Sequence, residues 1–259
     1  MLRPRLIPCL LVHKGGLAKT VKFADPKYVG DPINAVRIFN EKEVDELFVA
    51  DIDATRQARE PDYKLISSLA AECRMPLCYG GGVDKVEQVE RIIGLGVEKV
   101  ALSAAVIARP ELVSEAAERV GSQSIVVVLD ARQAGAGRYE AVTHSATKRT
   151  GLDVAETARR MQELGAGEIV VNAVDRDGMM QGYDRNLIAQ VRDSVTLPMT
   201  ALGGAGSLAD FQSLFAEHGI IGAAAGSFFV FKGKYRAVLI SYPNRTEKEN
   251  LLNRARAGQ

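Results

Sequence analysis

Short runs of apolar and β-branched residues recur along the whole chain, and most are followed by a stretch with the hydrophobic spacing of an amphipathic helix. Eight such runs begin near Leu6, Leu47, Pro76, Val100, Ser124, Ile169, Pro198 and Ile220. The run SIVVVLD from Ser124 is continuously apolar, which is typical of a strand buried on both faces. The stretch GLDVAETARRMQELG from Gly151 has helical spacing. This alternation predicts parallel strands joined by helices, an α/β fold.

The two halves of the sequence repeat one another at an offset of about 120 residues. LFVADIDA around Asp51 is similar to EIVVNAVDRDG around Asp175, and PLCYGGGV from Pro76 is similar to PMTALGGAG from Pro198. A repeat of four β/α units favours a (β/α)8 TIM barrel built from two half-barrels over an open doubly wound sheet. The length of 259 residues suits one such barrel, so we predict a single domain over residues 1–259.

Composition and charge argue against several classes of protein. The formal net charge is +1, and the tail from Asn244 to Arg256 mixes both signs, so no nucleic-acid footprint is predicted. No run of about 18 apolar residues is present to span a membrane, and Met1–Arg5 leads into a strand rather than a secretory signal, so we expect a cytoplasmic protein. Cys9, Cys73 and Cys78 lack the spacing of a zinc site or a disulfide framework and should be reduced. We expect neither a metal nor a cofactor.

Small residues follow the predicted strands at matching positions of the two halves. Gly80-Gly81-Gly82 follows the third strand and Ser103 the fourth, whereas Gly203-Gly204 follows the seventh and Gly226-Ser227 the eighth. Glycines let backbone N–H groups approach an anion, and a following helix N-terminus adds partial positive charge. Two such cradles at one barrel mouth predict a ligand with a phosphate at each end. The alternative is that these glycines merely turn the chain.

Charged residues also precede four of the strands. They are Arg5, Glu46, Lys99 and Glu168. Inward-pointing charges are costly unless they are paired, and these two cations and two anions can neutralise one another at the floor of the barrel. From the residues alone, the set is either a stabilising plug or a gate.

Six motifs together resemble the cyclase subunit of imidazole glycerol phosphate synthase, nearly end to end. They are RLIPCLLVHKGGLAKTVKF at the start, VADIDA at Asp51, YGGGV at Gly80, VVLDAR at Asp130, VDRDGMMQGYD at Asp175 and LGGAG at Gly203. The resemblance implies a glutaminase partner at the N-terminal face of the barrel, which supplies ammonia through the barrel core. It also implies cyclisation and cleavage of a bisphosphorylated ribosyl-formimino carboxamide, which gives imidazole glycerol phosphate.

The resemblance assigns roles to individual residues. It implies that Arg5, Glu46, Lys99 and Glu168 form the ammonia gate and that Asp130 is a catalytic acid or base. The substrate and phosphate contacts implied are Lys19, Asp51, Gly81, Gly82, Ser103, Asp177, Gly178, Gly203, Gly204, Gly226 and Ser227. Asp53 and Asp175 also stand at strand ends, where they could simply cap loops.

The second catalytic aspartate of the family is missing. Asp130 matches the aspartate at the end of strand five, but Leu11 stands where the one at the end of strand one is expected, 130 − 11 = 119 residues earlier. Leucine cannot transfer a proton, and the loss of a general acid or base typically costs about 10² to 10⁴ in rate. His13 is a candidate substitute because its ordinary pKa suits proton transfer near neutral pH.

Other positions also depart from the family pattern. Ser103-Ala104 replaces the usual Asn-Thr, Asn172 replaces a small hydroxyl residue, and Leu202 replaces a serine. These changes make the ordinary substrate questionable. Small or apolar residues at the strand midpoints should leave room for a narrow passage; they are Ala50, Ala101, Val128, Ala201 and Ala223.

Three functions remain open at this point. The first is a specialised paralogue that passes ammonia to an amidotransferase for acetamidino-sugar synthesis in surface polysaccharides, since some members with that role lack the carboxyl at the position of Leu11. The second is an authentic cyclase that uses Asp130 with a substitute acid. The third is a non-catalytic scaffold for the glutaminase.

Overall fold

Residues 3–257 are described by a computed structural model, in which fourteen strands and ten α-helices are found. The strands are β1 (Arg5–His13), β2 (Gly16–Val21), β3 (Ala24–Gly30), β4 (Leu47–Asp51), β5 (Leu77–Gly80), β6 (Lys99–Leu102), β7 (Ile125–Gly135), β8 (Arg138–Thr143), β9 (Lys148–Asp153), β10 (Glu168–Ala173), β11 (Met199–Leu202), β12 (Gly222–Ala225), β13 (Phe231–Lys232) and β14 (Ala237–Val238). The helices are α1 (Pro32–Glu41), α2 (Tyr63–Glu72), α3 (Val86–Gly94), α4 (Ala104–Ala108), α5 (Leu112–Val120), α6 (Val154–Glu163), α7 (Arg185–Ser194), α8 (Leu208–His218), α9 (Ser227–Val230) and α10 (Arg245–Ala257).

Eight of the strands form a closed parallel barrel, in the order β1, β4, β5, β6, β7, β10, β11, β12 and back to β1. The predicted (β/α)8 TIM barrel is therefore confirmed. Helices follow the strands because their apolar faces cover the outside of the sheet, as the buried Val36 and Phe39 of α1 illustrate. No helix of residues 3–257 is long and apolar enough to cross a membrane.

The half-barrel repeat extends to the loops at the carboxyl ends of the strands. After β1 the chain forms the antiparallel pair β2 and β3, and after β7 it forms β8 and β9. In each half an aspartate binds the loop that follows the first strand. Asp53 accepts a hydrogen bond from the backbone N of Lys14 at 2.8 Å, and Asp175 accepts one from the backbone N of Gln133 at 2.9 Å. Both aspartates therefore cap loops, as expected.

Two apolar layers lie on opposite faces of the barrel sheet. The larger one fills the space between strands and helices, and the smaller one fills the barrel interior with Ile7, Cys9, Phe48, Cys78, Ala101, Val126, Val128, Val170 and Ala224. Alternation along each strand decides which layer a side chain joins. Ala50, Ala101 and Val128 belong to the interior as predicted, whereas the prediction was wrong for Ala201 and Ala223, which face the helices.

The C-terminal helix is tied to the amino ends of the barrel strands. Lys248 of α10 forms an ion pair of 2.6 Å with Asp45, and Tyr242 donates a hydrogen bond of 3.0 Å to the backbone oxygen of Leu6. Asp45 also accepts a hydrogen bond from the backbone N of Leu6 at 2.9 Å. Helix α10 is thereby fixed beside the residues that open β1 and β4.

Candidate active site

The carboxyl ends of the barrel strands surround a cavity of about 580 Å³. Many predicted site residues line it: Lys19, Asp51, Gly81, Gly82, Ser103, Asp130, Asp177 and Gly226. The remaining ones, Gly178, Gly203, Gly204 and Ser227, line a smaller recess of about 20 Å³ that shares Asp177, Leu202 and Gly226 with the cavity. The fold thus brings together all of the predicted acid–base and phosphate-contact residues at this end of the barrel, which we call the mouth.

Asp130 points into the mouth from β7. Its register partner on β10 is Asn172, whose side-chain amide donates a hydrogen bond of 2.9 Å to the carboxyl group. Burial raises the pKa of Asp130 to about 7; the bond from Asn172 opposes this rise, and the nearby Asp177 adds to it. A carboxyl group with such a pKa can give or accept a proton near neutral pH.

Leu11 occupies the corresponding place in the first half-barrel. It pairs with Ala50 on β4, as Asp130 pairs with Asn172 on β10. Its side chain packs against the interior apolar layer and also lines the cavity. The wall around position 11 is therefore apolar where the resembled family has a carboxylate.

His13, at the end of β1, also lines the cavity. Its Nδ1 lies 2.8 Å from Oδ1 of Asp53, while the other oxygen of Asp53 accepts the bond from Lys14. Burial alone would raise the pKa of Asp53, but the hydrogen bonds from Lys14 and His13 bring it below its ordinary value. An ionised carboxylate thus orients the imidazole.

The first cradle is shaped by glycines whose positions leave no room for a side chain. Gly81 and Gly82 have φ values of +122° and +73°, in the left-handed region. A Cβ at Gly81 would collide with the backbone oxygen of Asp51, and one at Gly82 with that of Arg59. Ser103 precedes the short helix α4, and its side chain forms no capping bond to that helix.

The second cradle is built around a buried lysine. Lys19 is only 5% exposed, and its ammonium group donates to the backbone oxygen of Cys9. Burial lowers the pKa of Lys19, and Cys9 and Asp177 oppose that effect. A Cβ at Gly226 would collide with the Lys19 ammonium, so the glycine makes room for this cation at the mouth.

Asp177 and Gly178 fasten the loop after β10 to the hairpin that follows β1. The carboxylate of Asp177 accepts bonds from Thr20 Oγ1 at 2.7 Å and from the backbone N of Phe23 at 3.2 Å. A Cβ at Gly178 would collide with the backbone oxygen of Thr20. Both residues are required for this contact, in addition to any contact with a ligand.

Asp51 organises the loop after β4. One carboxylate oxygen accepts hydrogen bonds from the backbone N–H groups of Asp53 and Ala54 at 3.0 and 3.1 Å. The other accepts a hydrogen bond from the guanidinium group of Arg59 at 3.0 Å. Arg59 lines the cavity and was missed from the sequence. The half-barrel repeat gave no signal for it because the equivalent position, 59 + 122 = 181, is Gln181.

At the opposite end of the barrel, Arg5, Glu46, Lys99 and Glu168 meet in one cluster, which we call the floor. Lys99 Nζ lies 2.9 Å from both Glu46 and Glu168, and Arg5 lies 2.7 Å from Glu168 and also pairs with Glu46. Burial favours the neutral form of Glu168, but Arg5 and Lys99 outweigh it and lower the pKa. Thr200, which the sequence did not single out, donates a hydrogen bond of 2.5 Å to Glu168. The floor is thus a fully paired network.

No group of three His, Cys, Asp or Glu side chains within residues 3–257 is arranged to hold a metal ion. The ionisable side chains that line the mouth include Asp130, His13 and Lys19.

Comparison with known proteins agrees with the geometry. Residues 5–236 match the family described as histidine biosynthesis protein. A Vibrio vulnificus protein provisionally named imidazole glycerol phosphate synthase subunit hisF3 is 54% identical over 253 residues, which is 97% of each chain. A Pseudomonas aeruginosa protein provisionally named subunit hisF2 is 50% identical over 94% of this chain and 97% of its own. Imidazole glycerol phosphate synthase subunit HisF of Streptomyces coelicolor is 42% identical over 88% of this chain and 90% of its own.

The match covers nearly the whole barrel, from the floor to the mouth. The chain therefore belongs to the histidine biosynthesis protein family, among the HisF-like homologues of the cyclase subunit of imidazole glycerol phosphate synthase.

Proposed function

We propose that this protein is an ammonia-delivering barrel subunit, a specialised paralogue of the cyclase. It receives ammonia from a glutaminase at the floor and passes it to an acceptor at the mouth. The observation that carries the proposal is the inward-facing Leu11, an apolar side chain in the cavity at the place of a catalytic carboxylate, in a barrel whose floor keeps all four charges. A cyclase that has lost an acid but kept its ammonia entry is suited to delivery.

The layer between floor and mouth suits neutral ammonia. Its side chains are apolar or thiol, and an ammonium ion would lose its hydration there without gaining a partner. The charged floor, by contrast, can exchange protons and hydrogen bonds with an arriving ammonium ion. The relatives named as subunits of a synthase support a glutaminase as the second subunit.

The acceptor in this proposal is an amidotransferase that builds acetamidino groups on sugars of surface polysaccharide. The numbered names of two relatives, hisF2 and hisF3, fit additional copies beside an ordinary cyclase. A cytoplasmic location is part of the proposal, and the free thiols of Cys9, Cys73 and Cys78 fit a reducing compartment.

A second candidate is an authentic cyclase. The pKa of about 7 at Asp130 favours it, because one general acid or base of the ordinary reaction remains poised for proton transfer. The phosphate cradles at the mouth support the same candidate. A scaffold that merely activates the glutaminase is the third.

The deciding experiment supplies the purified chain with an ammonium salt and the bisphosphorylated ribosyl-formimino carboxamide. The wild type is compared with Leu11→Asp, with Leu11→Asn as a control that is polar and of similar size but cannot transfer a proton. Delivery predicts no turnover by the wild type and measurable turnover by Leu11→Asp alone. Wild-type turnover that Asp130→Asn abolishes would instead establish a cyclase.

A second experiment, on the complex with the glutaminase and the amidotransferase, distinguishes a scaffold from a conduit for ammonia. Glutamine labelled with ¹⁵N at its amide competes with unlabelled ammonium in the solution. A conduit predicts that the product carries mainly ¹⁵N, and that Lys99→Met at the floor lowers the labelled share. A label that simply follows the bulk ammonium would leave only the scaffold role.

A further inference from the structure

His13 and Asp53 form a hydrogen-bonded pair at the mouth, beside the position where Leu11 replaces the expected carboxyl group. Alternation along β1 turns Arg5, Ile7, Cys9 and Leu11 into the barrel, and His13 is the next residue of this series. Its side chain is 22% exposed and lines the same cavity as Asp130. The imidazole is therefore the first ionisable group beyond Leu11 on that strand.

The pair is oriented from both sides. Asp53 is held by the backbone N of Lys14 at 2.8 Å, and its other oxygen faces Nδ1 of His13 at 2.8 Å. A carboxylate acceptor at Nδ1 fixes the proton there and leaves a lone pair on Nε2. No described residue forms a hydrogen bond with Nε2, so this nitrogen is available to a ligand in the cavity.

The two half-barrels differ at the strand-end position that His13 occupies. The position equivalent to His13 is 13 + 119 = 132, which is Arg132, although Asp175 keeps the same loop bond as Asp53. At the two pairs of equivalent positions, the first half has Leu11 and His13, whereas the second half has Asp130 and Arg132.

Resting on the proposed delivery of ammonia, we infer that His13 is the proton acceptor of the mouth and that Asp53 is its positioning residue. The ligand class is the substrate that the amidotransferase brings to the mouth, a compound with an electrophilic sp² carbon such as an imine or an amidine precursor. Ammonia attacks this carbon, a C–N bond forms, and the π electron pair moves to the atom that was doubly bonded to the carbon. The new ammonium nitrogen then gives one proton to Nε2 of His13, which becomes an imidazolium paired with Asp53.

The complementary proton comes from the other side of the mouth. The atom that receives the π electron pair needs a proton, and Asp130, with a pKa of about 7, is partly protonated at neutral pH. An acid and a base with distinct surroundings in one cavity are the usual arrangement for such a pair of transfers.

The first test is ¹⁵N NMR of the histidine-labelled full chain, with the rings of His144 and His218 as internal references. We expect neutral His13 to carry its proton on Nδ1, and Asp53→Asn to move it to Nε2. A wild-type His13 protonated on Nε2 would overturn the assignment, because that nitrogen could not accept a proton.

The second test measures glutamine-dependent amidination by this chain in complex with its glutaminase and the amidotransferase. We expect His13→Gln to lower this turnover about 100-fold, and Asp53→Asn about 10-fold. The exposed Lys64 of α2 provides the control, and Lys64→Gln should leave turnover unchanged. Turnover that is independent of His13 would overturn the inference and leave delivery intact. If ¹⁵N from glutamine does not reach the product preferentially, delivery fails, and the NMR measurement still decides whether Nε2 of His13 is free to accept a proton.

Discussion

Asn172 donates a 2.9 Å hydrogen bond to Asp130, and the two side chains stand on neighbouring strands at the same height of the barrel. The amide oxygen of Asn172 is buried and has no hydrogen-bond partner in the described part of the chain. The bond favours the ionised carboxyl, yet burial prevails and the pKa of Asp130 remains near 7. The pair therefore holds a carboxyl whose charge changes at neutral pH.

Asp130→Asn should stabilise the protein at alkaline pH. The folded-state pKa of about 7 lies above the ordinary value of about 3.9, so the stability associated with Asp130 is complete below about pH 4 and is lost as the pH rises through 7. At pH 8 we expect Asp130→Asn to raise the free energy of unfolding by about 2 kcal/mol, and by much less at pH 5. Urea unfolding at both pH values measures this, and an equal gain at the two would contradict the assignment.

Asn172→Leu should raise the pKa of Asp130 further above 7. The substitution keeps a similar volume but removes the hydrogen-bond donor that favours the ionised carboxylate. A hydrogen bond to a charged group contributes about 1.5 to 3 kcal/mol. ¹³C NMR of the Asp130 carboxyl across a pH titration reports the change. Asn172→Gln serves as the control that retains an amide donor. An unmoved titration midpoint would mean that burial alone sets the pKa.

The barrel could be predicted from the sequence because its signal is repeated eight times and is local. The floor was predictable too, since strand order fixes where the residues before each strand meet. Side-chain direction was less accessible: Ala201 and Ala223 face the helices, and a shift of one position along a strand reverses the face.

Loop contacts were the least predictable part of the site. Arg59 reaches Asp51 from eight positions further along an irregular segment, and Thr200 joins the floor from a strand with no charged residue at its start. His13 was a candidate from its position, but its partner Asp53 lies 40 residues away in the chain. Such pairings depend on three-dimensional approach and leave no periodic pattern in the sequence.

Thr200→Val should weaken the floor. The hydroxyl of Thr200 donates to Glu168, and its loss removes one of the bonds that keep the buried carboxylate ionised. We expect the free energy of unfolding to fall by about 1 to 2 kcal/mol at pH 7, because a buried charge loses a donor. Thermal unfolding measures the loss, and Thr200→Ser, which keeps the hydroxyl, should stay within about 0.5 kcal/mol of the wild type. A Thr200→Val variant as stable as the wild type would show that the hydroxyl does not stabilise the floor.

Gly81→Ala should cost far more than Gly15→Ala, although both glycines have positive φ, +122° and +78°. At Gly15 a Cβ has no neighbour within 4 Å, so only the backbone strain of about 1 kcal/mol applies. At Gly81 the Cβ would also collide with the backbone oxygen and Cβ of Asp51, the residue that orders Asp53 and Ala54. We expect a loss of at least about 3 kcal/mol in the free energy of unfolding, measured in urea. If the two variants lose equal stability, Asp51 yields to the added Cβ at no cost in free energy, and Gly81 is needed only for its backbone conformation.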